Sequence, residues 1–307
     1  MSPERAMALR MRLHAAIREF FAARGVREVE TPILDPMGPC EPHIEGMRVL
    51  APEGERFLRA SPEFFHKRLL SLGFGDLFEI ARVFRAGERG AHHRPEFTLL
   101  EWYRIGFDHW RLMAELEALL AVAFALVGRA LRARRLSYRE WFAPLGLDPF
   151  AAPREALLEA LAAAGVPPPE ACDRQAALEL LAAAVLPRRH EPDELVLVHG
   201  FPAQQAAYAR ILAGDPPTAA RFEAFVGPLE LANGYWEVTD AAEQRQRFER
   251  DNAERRRLGR PERRPDPAVL AAFERGIPDC AGVALGLDRL LLAMLGGEDL
   301  AAIDPFA

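Results

Sequence analysis

Apolar residues Leu9, Leu13, Ile17 and Phe20 recur at three- to four-residue intervals, with Ala16 and Phe21 widening the stripe. That spacing predicts a helix with one buried face, stopped by Gly25. Residues 26–31 read as a strand closed by Pro32, which has no N–H for a ladder. Residues 36–56 are rich in proline and glycine and predict loop. Ser61-Pro62-Glu63 has the form of a helix start, and the helix should run through Leu70. Residues 77–85 and 97–104 predict two strands of an antiparallel hairpin. The polar, glycine-containing segment 86–96 between them is long for a plain turn, as functional loops are. Residues 111–134 predict one long helix. Residues 135–192 are rich in alanine and leucine and predict helices broken at Pro167-Pro168-Pro169. Residues 195–198 read as a short strand, and 222–226 and 229–233 as a hairpin around Gly227-Pro228. Asp240 and Glu243 form the pattern of a capping box, opening a strongly charged helix to Leu258. Residues 283–285 predict a strand, Gly286 a joint, and 288–295 an apolar helix. No internal repeat is present.

The face shared by alternate residues of the second hairpin strand is chemically mixed. Phe97, Leu99, Glu101 and Tyr103 lie on it, where a plain core face would be apolar throughout. Arg85 stands where the loop begins, and the loop adds Glu88, Arg89, His92, His93 and Arg94. Cations beside an aromatic platform suit a nucleotide, the cations for phosphates and the ring for a base. A solvated hairpin tip has the same spacing. Glu223, Glu230, Asn233 and Glu237 form a second group. A turn at Gly227-Pro228 puts Glu223 and Glu230 diagonally on one face, where they repel unless a cation intervenes. Hard oxygen ligands suit Mg²⁺, which commonly also binds substrate phosphates; two exposed carboxylates on a wet sheet fit equally. In Gly282-Val283-Ala284-Leu285-Gly286-Leu287-Asp288-Arg289, glycines at a strand-to-helix joint admit a ligand close to the backbone. Arg289 falls in the first helical turn, where the helix dipole disfavours a cation. It serves either a ligand or an ion pair with Asp288.

Composition narrows the class. The 307 residues are 50% apolar and 27% charged, ordinary values for a globular chain and too apolar for disorder. The net charge of −6 argues against a nonspecific nucleic-acid coat protein. Lys67 is the only lysine, read here as the arginine bias of a GC-rich genome. Cys40, Cys172 and Cys280 are far apart and odd in number, with no C-x-x-C pair, so neither a zinc site nor a disulfide framework is indicated. Cys172 and Cys280 read as buried packing residues. A reducing cytoplasm fits this usage, as does an N-terminus (Met1-Ser2-Pro3-Glu4-Arg5) without a signal-peptide core. No apolar run is long enough for a membrane span. There is no phosphate loop of the G-x-x-x-x-G-K-[ST] type, no G-x-G-x-x-G after a strand and no G-x-S-x-G elbow.

Taken together, three segments resemble the motifs of class II aminoacyl-tRNA synthetases. GVREVETP from Gly25 resembles motif 1, FEIARVFRAGERGAHHRPEFTLLEWY from Phe78 resembles motif 2, and GVALGLDRL from Gly282 resembles motif 3. The detail is of the lysyl type: Ser61-Pro62-Glu63, PEFTLLEWY, and ELANGYWEVTD from Glu230. The nearest resemblance is to the truncated lysyl-tRNA synthetase paralogues that modify translation elongation factor P. It implies an α+β fold with an antiparallel sheet flanked by helices. It also implies one catalytic domain over 1–307, with a helical insertion at about 135–192. Only 24 residues precede Gly25, so no N-terminal anticodon-binding OB domain is expected. Motif 1 implies a homodimer.

The resemblance further implies an ATP-dependent ligase with Mg²⁺, forming an aminoacyl-adenylate and pyrophosphate. Catalysis would fall to Arg85 on the α-phosphate and to Arg289. ATP would be bound by Arg85, Glu88, His93, Arg94, Phe97, Glu230, Leu231, Asn233, Gly286 and Arg289, with Phe97 stacked on adenine. Glu223 and Glu230 would coordinate the metal. Ser61, Pro62, Glu63, Tyr103, Glu237 and Ala284 would bind the amino acid: Glu63 its backbone-type amine, Tyr103 and Glu237 its terminal ammonium. Two carboxylates facing two ammonium groups suit a diamino acid, since a neutral substrate leaves one unpaired. True lysyl-tRNA synthetases usually have glycine at the Ala284 position; alanine there implies (R)-β-lysine over α-lysine. The chain departs from the family at two points. Motif 2 usually reads R-x-E, where this chain has Arg85-Ala86-Gly87-Glu88, so Glu88 or the backbone at Gly87 takes the glutamate's place. Arg94 stands where asparagine usually precedes PEF. The implied acceptor is a lysine side chain of elongation factor P. The alternatives are a minimal α-lysyl-tRNA synthetase, against which the missing anticodon module argues, and an inactive paralogue used as a binding module. The retained Arg85, Glu230, Glu237 and Arg289 argue against the latter.

Overall fold

The computed structural model describes residues 3–52 and 54–304; Met1, Ser2, Glu53 and residues 305–307 lie outside it. Helix α1 (Pro3–Ala22) is followed by short strands β1 (Arg27–Glu28) and β2 (Leu34–Asp35). A hairpin, β3 (Met47–Ala51) and β4 (Gly54–Leu58), leads to α2 (Glu63–Ser71), β5 (Leu77–Phe84) and β6 (Glu96–Ile105). Next come α3 (His109–Ala125), β7 (Arg132–Ser137), α4 (Tyr138–Phe142), α5 (Arg154–Ala163) and α6 (Arg174–Ala184). Strands β8 (Glu194–Pro202), β9 (Ile211–Leu212), β10 (Thr218–Val226) and β11 (Leu229–Trp236) follow. The described chain closes with α7 (Ala241–Arg257), α8 (Pro267–Arg275), β12 (Cys280–Gly286) and α9 (Leu287–Leu295). Gly25 sits past the end of α1 with φ +67°, the left-handed geometry that glycine adopts without strain.

Nine of these strands form one sheet in the order β1-β5-β6-β12-β11-β10-β8-β7, with β9 pairing β10. All its pairs are antiparallel except β1/β5 and β7/β8. Strands β2, β4 and β3 make a second, three-stranded sheet. The architecture is α+β. One face of the large sheet carries Phe78, Leu100, Trp102, Phe222, Val283 and Leu285 and is covered by α1, α3 and α9. Burying such side chains is worth roughly 1.5–3 kcal/mol each, so this face anchors the fold. The opposite face is covered at one end by α2, α7 and α8 and at the other by α4, α5 and α6.

Several expectations change. The strand predicted at 26–31 pairs only over Arg27–Glu28. The segment expected as loop at 36–56 contains most of the β3–β4 hairpin, paired from Met47–Leu58 to Ala51–Gly54. The helix predicted to Arg134 stops at Ala125, because Arg132–Ser137 pairs in parallel with β8. Strand β8 runs well beyond residues 195–198, and α8 was not foreseen. The charged helix after Asp240 forms as expected and buries one of its arginines: Arg255 is fully buried, donates to the carbonyls of Pro261 and Glu41 and pairs with Glu45.

Candidate active site

Register on the uncovered part of the sheet explains how residues distant in sequence meet. Glu79, Glu101, Ala284, Asn233 and Glu223 are successive partners across β5, β6, β12, β11 and β10. The next row is Leu77, Tyr103, Gly282, Tyr235 and Arg221. Period-two alternation therefore lays the mixed stripe of β6 beside the small residues of β12. Gly282 is small of necessity: a Cβ there would lie 2.3 Å from a Tyr103 ring carbon and 2.7 Å from Glu237 Oε1.

At the α2 end of these rows lies a buried acidic cluster. Ser61 Oγ accepts from the Glu63 amide at 3.0 Å and donates to Glu101 Oε2 at 2.8 Å, so the helix start is tied to the sheet. Tyr103 donates its hydroxyl to Glu101 Oε1 at 3.0 Å. Lys67 Nζ lies 2.6 Å from Glu63 Oε1, one helical turn back, and 2.9 Å from Glu237 Oε2. His66 contacts Glu79 at 2.9 Å and Glu101 at 3.7 Å. Arg59 holds Glu79 at 2.8 Å from behind. Burial raises the Glu237 carboxyl to about 8, although Lys67 opposes the rise; Glu63 nearby adds to it. Glu63 is raised too, by burial against the pull of Lys67. For Lys67, burial alone would lower the pKa, but Glu237 and Glu63 outweigh it and keep the ammonium charged.

At the hairpin end, Glu88, His93, Arg94, Phe97, Gly286 and Arg289 surround one small hollow. The Arg85 guanidinium lies 5.0 Å from the Phe97 ring centroid, within cation–π range, and 3.5 Å from Glu88. Arg289 does not pair with Asp288, which is taken by Arg10 and the Thr98 amide; it leans 3.8 Å from Glu230. Arg94 is engaged with Asp299 and the Gly90 carbonyl. The Leu231 side chain belongs to the core on the opposite face, and its carbonyl lies towards Gly286, so its backbone is what a ligand on this face can reach.

Between the two ends, Glu223 and Glu230 line a cavity of about 1210 Å³ with Arg221 and Arg289. Arg221 pairs with Glu223 and donates to Asn233 Oδ1 at 3.2 Å. Burial raises Glu223 to about 7; Arg221 opposes this and Glu230 reinforces it. Each of the two carboxylates thus has one arginine beside it, Arg221 at Glu223 and Arg289 at 3.8 Å from Glu230. No group of three or more His, Cys, Asp or Glu among the described residues makes a closed metal cage. Two hard carboxylates lining this cavity nevertheless fit Mg²⁺, which needs few protein ligands and completes its shell with water and anionic oxygens. The acidic cluster does not open onto this cavity; Tyr208, 5.2 Å from Lys67 Nζ, forms part of the wall in front of it.

The structure therefore brings Ser61, Pro62, Glu63, Tyr103 and Glu237 to one end, and Arg85, Glu88, His93, Arg94, Phe97, Gly286 and Arg289 to the other; Ala284, the register partner of Glu101, packs on the same small apolar cluster as Phe97 and lies between them. Sequence reasoning passed over Glu101, Lys67 and Arg221. Glu101 stands in the stripe that drew attention to β6, and Lys67 stood out as the only lysine. Arg221, two residues before Glu223, had no comparable signal. Among the described residues no helix is long and apolar enough to cross a membrane.

A family model described as tRNA synthetases class II (D, K and N) matches residues 2–307. An elongation factor P–(R)-β-lysine ligase of Avibacterium paragallinarum is 40% identical, covering 97% of this chain and 94% of that protein. Its counterparts in Mannheimia succiniciproducens and Vibrio cholerae are each 41% identical. They cover 99% and 94% of this chain and 95% and 91% of their own lengths.

Proposed function

The chain belongs to the class II tRNA synthetase family, and on that premise we propose that it activates (R)-β-lysine with ATP and transfers it to a lysine side chain of translation elongation factor P. The relatives named for that activity match it over nearly their whole length. The observation that supports the reading at the site is the buried cluster of Glu63, Glu101 and Glu237 beside the β6 stripe from Tyr103 to Phe97, whose Phe97 end meets Arg85 and Arg289.

In this reading the substrate carboxylate attacks the α-phosphorus of ATP. A P–O bond forms, the bond to pyrophosphate breaks, and the adenylate results. The ε-amine of the acceptor lysine, as free base, then attacks the acyl carbon; AMP leaves and an amide forms. Arg85 orients the α-phosphate and offsets charge developing on it, and Arg289 does the same from the motif 3 side. Phe97 stacks on adenine. Glu88, His93 and Arg94 border the nucleotide, while Glu230, Leu231 (through its backbone), Asn233 and Gly286 line its path. Glu223 and Glu230 would hold Mg²⁺, which when bound neutralises phosphate charge. Glu63 takes the amine nearer the carboxyl group, and Tyr103 and Glu237 the terminal ammonium, with Glu101 fixing Tyr103. Ala284 is the register partner of Glu101, so its methyl group borders this subsite and selects the β-isomer. We further propose a single catalytic domain acting in the cytoplasm as a homodimer through the α1–β2 region. There Met11, Ile33 and Leu34 are exposed.

ATP–pyrophosphate exchange with (R)-β-lysine and with α-lysine tests the first step. Transfer to elongation factor P and to tRNA tests the second. Exchange with β-lysine and transfer to the protein are expected. Exchange with α-lysine alone and transfer to tRNA would replace the reading with a minimal lysyl-tRNA synthetase. Binding without exchange would point to a binding module.

A further inference from the structure

Lys67 has no part in the mechanism above, yet it is the most enclosed cation in the site. Lysine and arginine together number 39, and this is the one lysine. Its side chain is fully buried. The rings of Tyr208, Phe64 and Phe273 lie 5.2, 5.7 and 5.8 Å from Nζ, and two carboxylates complete the enclosure. Three rings and two carboxylates suit a compact ammonium rather than the wide planar fork of arginine. A charge so placed costs several kcal/mol in lost hydration unless its partners compensate.

The surrounding titratable groups define what that charge does. Glu63 and His66 lie on its own helix, Glu101 and Tyr103 on β6, and Glu237 and Cys280 on the far side. Burial keeps the Tyr103 phenol and the Cys280 thiol neutral. His66 is shared between Glu79 and Glu101, and Arg59 matches Glu79. Lys67 is therefore the fixed cation available to Glu63 and Glu237. It engages one oxygen of each.

We infer that Lys67 is a specificity-determining residue: its ammonium fixes the spacing of Glu63 and Glu237 and cancels one negative charge between them, so that their remaining oxygens are presented to a substrate carrying two ammonium groups. This rests on the reading of the substrate as a diamino acid. Without Lys67 the two carboxylates repel and separate unless a proton bridges them. A proton does so more readily at low pH.

The test is the KM for (R)-β-lysine and for ATP in exchange assays at pH 6.5 and 8.5, with wild type and Lys67→Met. At pH 8.5 the variant's KM for β-lysine should be at least tenfold above wild type, with its KM for ATP within twofold. The β-lysine defect should shrink at pH 6.5. Should Lys67→Met fail to fold, Lys67→Ala supplied with methylammonium as a replacement cation permits the same comparison. A β-lysine KM within twofold of wild type at both pH values overturns the inference. So does a pH-independent loss in which both KM values rise together, the mark of a purely structural lysine. Absence of exchange by the wild type with either isomer would overturn the functional reading instead.

Discussion

Gly282→Ala adds one methyl group at the most crowded point of the site. The new Cβ would sit 2.3 and 2.6 Å from two Tyr103 ring carbons and 2.7 Å from Glu237 Oε1, roughly an ångström inside ordinary contact. The backbone cannot give way easily, because Gly282 is paired with Tyr103 on one side and Tyr235 on the other. Tyr103 is held by Glu101, and Glu237 by Lys67. Overpacking of this kind costs about 1–3 kcal/mol. Strain relieved by displacing Tyr103 and Glu237 is lost from β-lysine binding, which corresponds to roughly a 5- to 150-fold rise in KM. Exchange kinetics with β-lysine and ATP varied separately, together with a thermal melt, measure how it divides. The expected result is a raised KM for β-lysine, an ATP KM within twofold and a melting temperature lowered by a few degrees at most. An unchanged KM for β-lysine would refute the placement of Tyr103 and Glu237 against the amino acid.

Three further outcomes are expected. Burial raises the Glu237 carboxyl above the usual carboxylate range although Lys67 opposes it, so the free protein takes up a proton there as pH falls, and an incoming ammonium needs the carboxylate. Its proton must therefore leave on binding, so KM for β-lysine should fall as pH rises from 7 to 8.5, and calorimetry in buffers of different ionisation enthalpy should register proton release. Ala284→Gly should reduce the preference for β-lysine over α-lysine in competition assays; an unchanged ratio would remove Ala284 from the account of specificity. Glu223→Gln should raise the Mg²⁺ concentration needed for half-maximal exchange several-fold while leaving KM for β-lysine within twofold, as metal titrations would show.

The elements legible in the sequence were those with one clear period. The β5–β6 hairpin alternates, α1 and α9 carry apolar stripes, and Gly227-Pro228 marks the β10–β11 turn. Strand β7 was hidden because its sequence, RARRLS, is polar and its burial pattern mostly exposed; its partner β8, not its own period, makes it a strand. The β3–β4 hairpin was masked by the prolines and glycines around it. At the site, alternation put Glu101 beside Tyr103, but no local pattern says that Lys67 of α2 reaches Glu237 after β11. That contact depends on α2 packing over the sheet. Read as composition, a single lysine carries no information; its meaning comes from the two carboxylates that enclose it.

Intact-mass spectrometry of elongation factor P after incubation with this protein, ATP and (R)-β-lysine bears most directly on the proposed reaction. The account predicts a mass gain of one β-lysyl group on a single lysine, dependent on ATP and lost in Arg85→Ala. An unmodified factor, alongside tRNA charged with α-lysine in parallel, would contradict it.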